Sequence, residues 1–229
     1  MSAAPARWLP AGTVYGTLLN FRREWDLWAP RMTEAPYKAA PKAPVLYVKT
    51  ANTFTPCGAD IAVPGEVEVG AALGLVIGDF EPNLPPALDG QAQTAINKRV
   101  TGCVLLADLS LPHPSYYRPP IKFRNRDGIL GCGPATVPPA LADIAAHKLE
   151  VRVNGQAMQT VDLSTLVRDA ATLLADVGEF MTLQPGDVLM LGTDCLPDGA
   201  RPRAKAGDRI EISAPGFAPL HHTLIAEAT

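Results

Sequence analysis

The chain has 229 residues and 24.3 kDa, with 47% hydrophobic and 19% charged residues, a composition that supports a packed core and excludes a disordered chain. Its net charge is −3 with a pI near 5.8, and Lys and Arg are scattered with no run longer than Arg22-Arg23. A nucleic acid or an anionic lipid surface needs a basic stripe, so both are excluded as partners.

In chain order, 1–12 reads as an N-terminal extension and 13–229 as a single domain. Met1 to Pro10 carries Pro5, Arg7 and Pro10 and lacks the apolar run of a secretory signal. The longest apolar stretch, Val69 to Ile77, is about half of a bilayer span, so a cytoplasmic, membrane-free protein is expected. Its 23 prolines and 19 glycines punctuate short apolar runs, the pattern of a β-rich mixed α/β fold. Thr13 to Leu19 is the first strand, followed by a polar segment with Trp25 and Trp28 and a proline-studded loop from Pro30 to Pro44. Pro44 to Lys49 predicts a buried strand, Thr50 to Asp60 a polar loop, and Gly65 to Gly78 a strand with Glu66 and Glu68 on one face. Gln91 to Asn97 predicts a short helix, and the apolar run from Val100 to Leu106 ends at Asp108, a strand delivering a carboxylate at its end. Asn154-Gly155 between LEVRV and QAMQTV predicts a hairpin with a type I′ turn. Ser164 is a suitable N-cap for a helix in which Leu166, Val167, Ala170, Leu173, Leu174, Val177 and Phe180 recur at helical spacing. VLMLG and RIEIS are two further strands.

No glycine-rich phosphate loop and no G-x-S-x-G elbow is present, which disfavours nucleotide binding and serine hydrolysis. Cys57, Cys103, Cys132 and Cys195 lie far apart, read as reduced thiols, and nothing places a histidine beside them. The informative segments are Lys49 to Thr53, Asp108, Arg124 to Gly128 and Leu191 to Thr193, each at or near the end of an apolar run. Lys49, Arg124 and Arg126 beside the amide of Asn52 suit a small dicarboxylate or keto acid, because guanidinium and ammonium groups bind carboxylate oxygens by charge-assisted hydrogen bonds. Each residue also has a purely structural reading: Lys49 as a snorkelling surface lysine, Asn52 and Asp127 as turn formers, Thr193 as a loop hydroxyl.

Together these residues carry a resemblance. Lys49-x-x-Asn52-Thr53, Val76-Ile77-Gly78, Gly102 through Asp108, Arg126-Asp127-Gly128, the Asn154-Gly155 hairpin, and Phe180 to Asp187 followed by Leu191-Gly192-Thr193 resemble the fumarylacetoacetate hydrolase family in its order, over about residues 13–225. Ala35 to Lys42, Ser115 to Pro119 and Arg126 to Gly128 are similar to the amino-terminal half of its bifunctional isomerase/decarboxylase branch, which serves homoprotocatechuate (4-hydroxyphenylacetate) degradation. The resemblance implies a β-sandwich roll and keto or enol dicarboxylate substrates. It also implies Mg²⁺ or Mn²⁺ held by Glu-x-Glu and a later Asp, with a Glu-His pair as acid and base.

The sequence departs from that pattern at the centre. Counting back from Ile77-Gly78, the Glu-x-Glu positions hold Gly70, Ala71 and Ala72, leaving Asp108 as the single metal-ligand position. The segment after Asn20-Phe21 reads Arg22-Arg23-Glu24-Trp25, with no histidine before His113, and Arg124 stands at the family's lysine position. Glu66-x-Glu68 would lie roughly 13 Å from the lost pair along a strand, and reads as a solvated strand start. On the resemblance, Lys49, Asn52, Thr53, Arg124, Asp127 and Thr193 are the substrate-binding set and Asp108 the metal position. Glu24 and Arg124 are the catalytic candidates, and Mg²⁺ or Mn²⁺ is expected to bind weakly or not at all. Three functions follow: a homo- or heterodimer subunit relying on a related, complete partner; a self-sufficient isomerase/decarboxylase; or a non-catalytic small-acid binding or scaffold protein.

Overall fold

The computed structural model describes residues 7–35, 38–78, 99–113 and 121–228. The expected helix at Gln91–Asn97, the stretch Ser115–Pro119, Pro36 and Tyr37 lie outside the described residues. Two long apolar runs set the frame. β5 (Val67–Ile77) and β6 (Val100–Ser110) pair antiparallel along most of their length, with Gly70 opposite Asp108 and Leu73 opposite Leu105. Around them lie β1 (Val14–Leu18), β2 (Val45–Lys49), β3 (Phe54–Pro56), β7 (Leu130–Cys132), β10 (Val188–Met190) and β11 (Arg203–Ala204). Their order in this eight-stranded sheet is β2-β1-β10-β5-β6-β7-β3, with β11 on β5. A five-stranded sheet is built from β4 (Ile61–Val63), β8 (Lys148–Val153), β9 (Gln156–Asp162), β12 (Arg209–Ser213) and β13 (Leu220–Ala226), in the order β4-β13-β12-β8-β9.

Successive side chains on a strand point to opposite faces. Val69, Ala71, Leu73 and Leu75 of β5 and Cys103, Leu105 and Leu109 of β6 therefore join the main core with Leu149, Val151, Ile210, Ile212 and Leu220 of the second sheet. The other face carries Ala72, Val104 and Leu106, which pack with Val14, Leu130, Val188 and Met190 into a smaller core. Burial on both faces explains why β5 is a continuous apolar run rather than an alternating one. The result is the expected β-rich mixed α/β sandwich roll. No helix among the described residues is long and apolar enough to cross a membrane.

Several local expectations are corrected. The Trp25 and Trp28 segment is helical, α1 (Arg22–Met32), with Glu24 buried in its first turn. The 50–60 loop contains a 3₁₀ turn at Ala51–Thr53 followed by β3. β6 continues to Ser110, so Asp108 projects from inside the strand rather than from its end. A short helix, α2 (Ile121–Arg124), carries Arg124. Ser164 does not cap the amphipathic helix. It lies in a 3₁₀ turn at Leu163–Thr165, and α3 (Ala170–Gly178) begins later, with Asp169 accepting from the Thr172 N–H at 2.7 Å. The delay has a cause: the Val167 N–H donates to the Asn20 carbonyl and Leu166 bridges to Phe21, so the backbone there is already committed to the end of β1. The hairpin stands as expected, with Asn154 at φ 52° and Gly155 at φ 78°.

His222 of β13 is buried between the sheets, its Nδ1 2.8 Å from the Ala59 carbonyl oxygen and its ring packed on Gly131. Burial first, and the neighbouring His221, pull its pKa below the ordinary histidine value, against Ala59 and Asp60. A depressed folded pKa means that the unfolded chain binds the proton more readily, so stability from a neutral His222 is present above about pH 6.5 and is lost below it. Urea midpoints are expected to fall between pH 7.5 and 5.5 in the wild type and to fall less in His222→Gln. Parallel slopes would contradict this assignment.

Candidate functional site

The face of β5 and β6 that carries Gly70 and Asp108 collects the predicted residues. β2 adds Tyr47 and Lys49, which share a face because they are two residues apart, and α2 adds Arg124. Lys49 Nζ lies 2.8 Å from Asp108 Oδ1 and also donates to the carbonyls of Arg124 and, at 3.4 Å, Leu109. The Tyr47 hydroxyl donates to Asp108 Oδ2, which Arg124 approaches at 3.4 Å. The Arg124 guanidinium lies 4.8 Å over the Tyr47 ring. Lys49 is 0% exposed, which removes its reading as a snorkelling surface lysine.

Burial works against the charge on Asp108, but Lys49 and then Arg124 outweigh it and hold the carboxyl below its ordinary value. Burial lowers Lys49, with Asp108 resisting, and raises the Tyr47 phenol well above its usual range, helped by the Asp108 charge. Tyr47 therefore stays a donor and Asp108 an acceptor. The arrangement is a closed centre in which one carboxylate is claimed by two cations and a phenol.

A second cluster adjoins it. Thr193, following β10, packs against Gly70, where an added Cβ would sit 2.7 Å from Thr193 Cγ2. Arg201 donates to Thr193 Oγ1 at 3.2 Å and to Glu24 Oε1 at 2.7 Å, while Glu24 Oε2 accepts from the Leu19 N–H at 3.0 Å. Arg23 pairs with Asp194 at 3.2 Å, so two ion pairs fasten α1 to the segment after β10. Burial raises Asp194, and it pushes the adjacent Cys195 thiol up to about 11.

The outer residues serve as connectors. Asn52 Nδ2 donates to Asp127 Oδ1 at 2.7 Å, the Gly128 N–H donates to the Asn52 carbonyl at 2.8 Å, and Thr53 Oγ1 donates to the Thr50 carbonyl at 2.7 Å. Asn52 and Asp127 are exposed and tie the turn after β2 to the loop before β7. Arg126 is drawn away to Glu227, bonding both its oxygens at 2.6 and 2.7 Å. Glu66 pairs with Arg203 at 2.7 Å, and Glu68 accepts from Ser110 at 3.5 Å. Sequence reasoning missed Tyr47, which the two-residue strand period signals beside Lys49. It also missed Arg201, whose loop position carries no periodic signal. Cys57 Sγ lies 3.7 Å from His221 Nδ1, a contact between segments that sequence spacing could not join.

The residues present do not fit the divalent cation that the resemblance implies. Gly70 and Ala72 offer no oxygen, the methyl of Thr193 fills the space at Gly70, and Asp108 is already neutralised from within. Mg²⁺ needs charge from more than one ligand to give up its water. Among the described residues no three His, Cys, Asp or Glu side chains converge as a ligand set.

Residues 13–225 match the family model described as fumarylacetoacetate (FAA) hydrolase C-terminal. The chain is 34% identical over 218 residues to the 4-hydroxyphenylacetate degradation bifunctional isomerase/decarboxylase of Escherichia coli, covering 94% of this chain and 48% of that protein. It thus spans about half the length of the curated relatives it matches first. Among solved structures it resembles 5-carboxymethyl-2-hydroxymuconate delta-isomerase from Mycobacterium smegmatis, with a TM-score of 0.69, 22% identity, and coverage of 96% of this chain and 81% of that one. It equally resembles fumarylpyruvate hydrolase from Pseudomonas aeruginosa, solved with Mn²⁺ and pyruvate, with a TM-score of 0.69, 19% identity, and coverage of 99% and 98%. Those two likenesses establish the fold, and the family model together with the 34% identity establishes the kinship. The chain belongs to the fumarylacetoacetate hydrolase family.

Proposed function

We propose that the chain is a partner-dependent unit of an isomerase/decarboxylase for keto and enol dicarboxylates. The substrates would be 2-hydroxyhepta-2,4-diene-1,7-dioate and 5-oxopent-3-ene-1,2,5-tricarboxylate, and the unit would assemble with a related one that supplies the metal-dependent chemistry. The observation that carries this reading is the Asp108 centre, where Lys49, Arg124 and Tyr47 occupy the carboxylate while Gly70 and Ala72 offer no second ligand. The relative's length supports it, since a chain of half that length leaves room for a second unit. In this reading Lys49, Asn52, Thr53, Arg124, Asp127 and Thr193 are the relic of a carboxylate pocket, and Asp108 is a vestigial metal position. Glu24, bound to Arg201, is held as a structural acid rather than a proton carrier.

A self-sufficient enzyme is the second reading, favoured only by the cationic excess of Lys49 and Arg124 over Asp108, since a fixed cation can stabilise an enolate. The test is ultraviolet monitoring of 2-hydroxyhepta-2,4-diene-1,7-dioate isomerisation by the purified chain, alone and mixed with a family member carrying Glu-x-Glu and the Glu-His acid/base pair. No turnover alone and turnover exceeding that of the partner by itself is the expected result. Turnover by the chain alone would overturn the proposal.

A further inference from the structure

A cavity of about 240 Å³ lies between α1, the residues that end β1 and the segment that leads into β2, and none of its lining residues belongs to the Asp108 centre. Leu18, Leu19, Met32 and Val45 supply apolar walls, Trp28 an indole, and Arg31 the one charged side chain among the described lining residues, its guanidinium 5.1 Å over the Trp28 ring. The space exceeds the roughly 150 Å³ engineered cavity that takes up benzene. Its backbone is also unusual. Leu19 has φ 58° and Lys38, at the start of the segment leading into β2, has φ 66°, whereas the remaining non-glycine residue of this kind among those described, Asn154, is accounted for by its hairpin. A bulky side chain in the left-handed region is held only where its surroundings over-determine it, and such strain gathers at ligand sites. Here the buried Glu24 takes the Leu19 N–H and fixes the bend.

We propose that this cavity is a binding site for an aromatic monocarboxylate, separate from the dicarboxylate chemistry of the Asp108 centre. A flat ring fits the hydrocarbon walls and the indole face, and Arg31 at the mouth receives the carboxylate by charge-assisted hydrogen bonds. Among the described residues the lining holds no acid, so an amine or a metal ion finds no partner in them. A dicarboxylate would leave a second charge against hydrocarbon, which is costly. The site thus selects one apolar body with one anionic end, and it stands whether or not the activity proposed above is correct.

Phenylacetate is the probe, titrated calorimetrically into the full chain, with tryptophan fluorescence as a second readout. Saturable binding at or below about 1 mM is expected, weakened about tenfold or more in Arg31→Gln, an exposed position whose change leaves the core intact. 2-Phenylethanol, with the ring but not the charge, should bind at least about tenfold more weakly, and succinate should not compete. Absence of saturation at about 10 mM overturns the site. Equal affinity for 2-phenylethanol overturns it in favour of an apolar protein contact. Undiminished binding in Met32→Trp, which fills the cavity, places the ligand elsewhere and also overturns it.

Discussion

Asp108→Ala is expected to lower stability by about 3–5 kcal/mol, because it leaves Lys49 and Arg124 facing each other in the interior without a counter-charge. Tyr47 would lose its acceptor at the same time, and a buried donor without a partner carries its own penalty of about 1–3 kcal/mol. The paired change Lys49→Met with Asp108→Asn removes the Lys49–Asp108 pair but leaves Arg124 without its counter-charge, so it should recover only part of the loss. Adding Arg124→Met should recover more of it, since a buried ion cluster and its uncharged replacement often differ little. Acid titration adds a second signature. A carboxyl held below its ordinary value contributes stability above about pH 3.9 and surrenders it as pH falls through the depressed value, so Asp108→Ala should flatten the acid limb of the stability curve. Guanidinium denaturation across pH measures both. A loss under about 1 kcal/mol would mean that the centre is wet and weakly coupled.

Gly70→Glu, which places a carboxylate where the resemblance to the family puts its first metal ligand, is expected to destabilise the protein without creating metal affinity. The new Cβ would lie 2.7 Å from Thr193 Cγ2 and 3.1 Å from the Asp108 carbonyl oxygen, and that oxygen belongs to the main chain of the β5–β6 pair. Overpacking of this kind costs about 1–3 kcal/mol, and a buried charge facing no arranged partner adds to it. Gly70→Ala should show the packing part alone, and Gly70→Ala with Thr193→Ser should relieve part of it, because the serine lacks the obstructing methyl. Thermal unfolding with and without Mn²⁺ distinguishes the terms. A Gly70→Glu protein that melts at the wild-type temperature and gains stability with Mn²⁺ would show that Thr193 yields and that the site is dormant rather than rebuilt.

Much of this architecture was legible because its signals are local. Asn154-Gly155 requires two residues at positive φ, and the hairpin followed from that alone. β5 and β6 were visible as apolar runs, and the family motifs pointed to the β-sandwich roll without giving the strand order. The site was legible as a list of residues but not as a network. Lys49 and Asp108 were both singled out, yet nothing in their spacing says that the lysine neutralises the carboxylate. That outcome depends on how the curled sheet brings β2 to β6, with β1, β10 and β5 between them in strand order, a non-local fact. Arg201 was invisible for the same reason: it reaches Glu24 across 177 residues of sequence from a loop with no periodicity. Ser164 failed as a cap because capping chemistry competes with tertiary demands, and the bonds of Val167 and Leu166 to the end of β1 delayed the helix until Asp169.

The Asp108 centre is closed from within by cationic side chains and does not fit a divalent ion. The most direct test is a titration of Mn²⁺ into the purified chain, followed by electron paramagnetic resonance of the free ion and by calorimetry, with oxalate present as an enolate mimic. The expected result is no saturable binding at millimolar Mn²⁺ and no change in melting temperature on adding a chelator. One Mn²⁺ per chain bound at micromolar strength, lost in Asp108→Asn, would contradict the account and make the self-sufficient enzyme the leading reading.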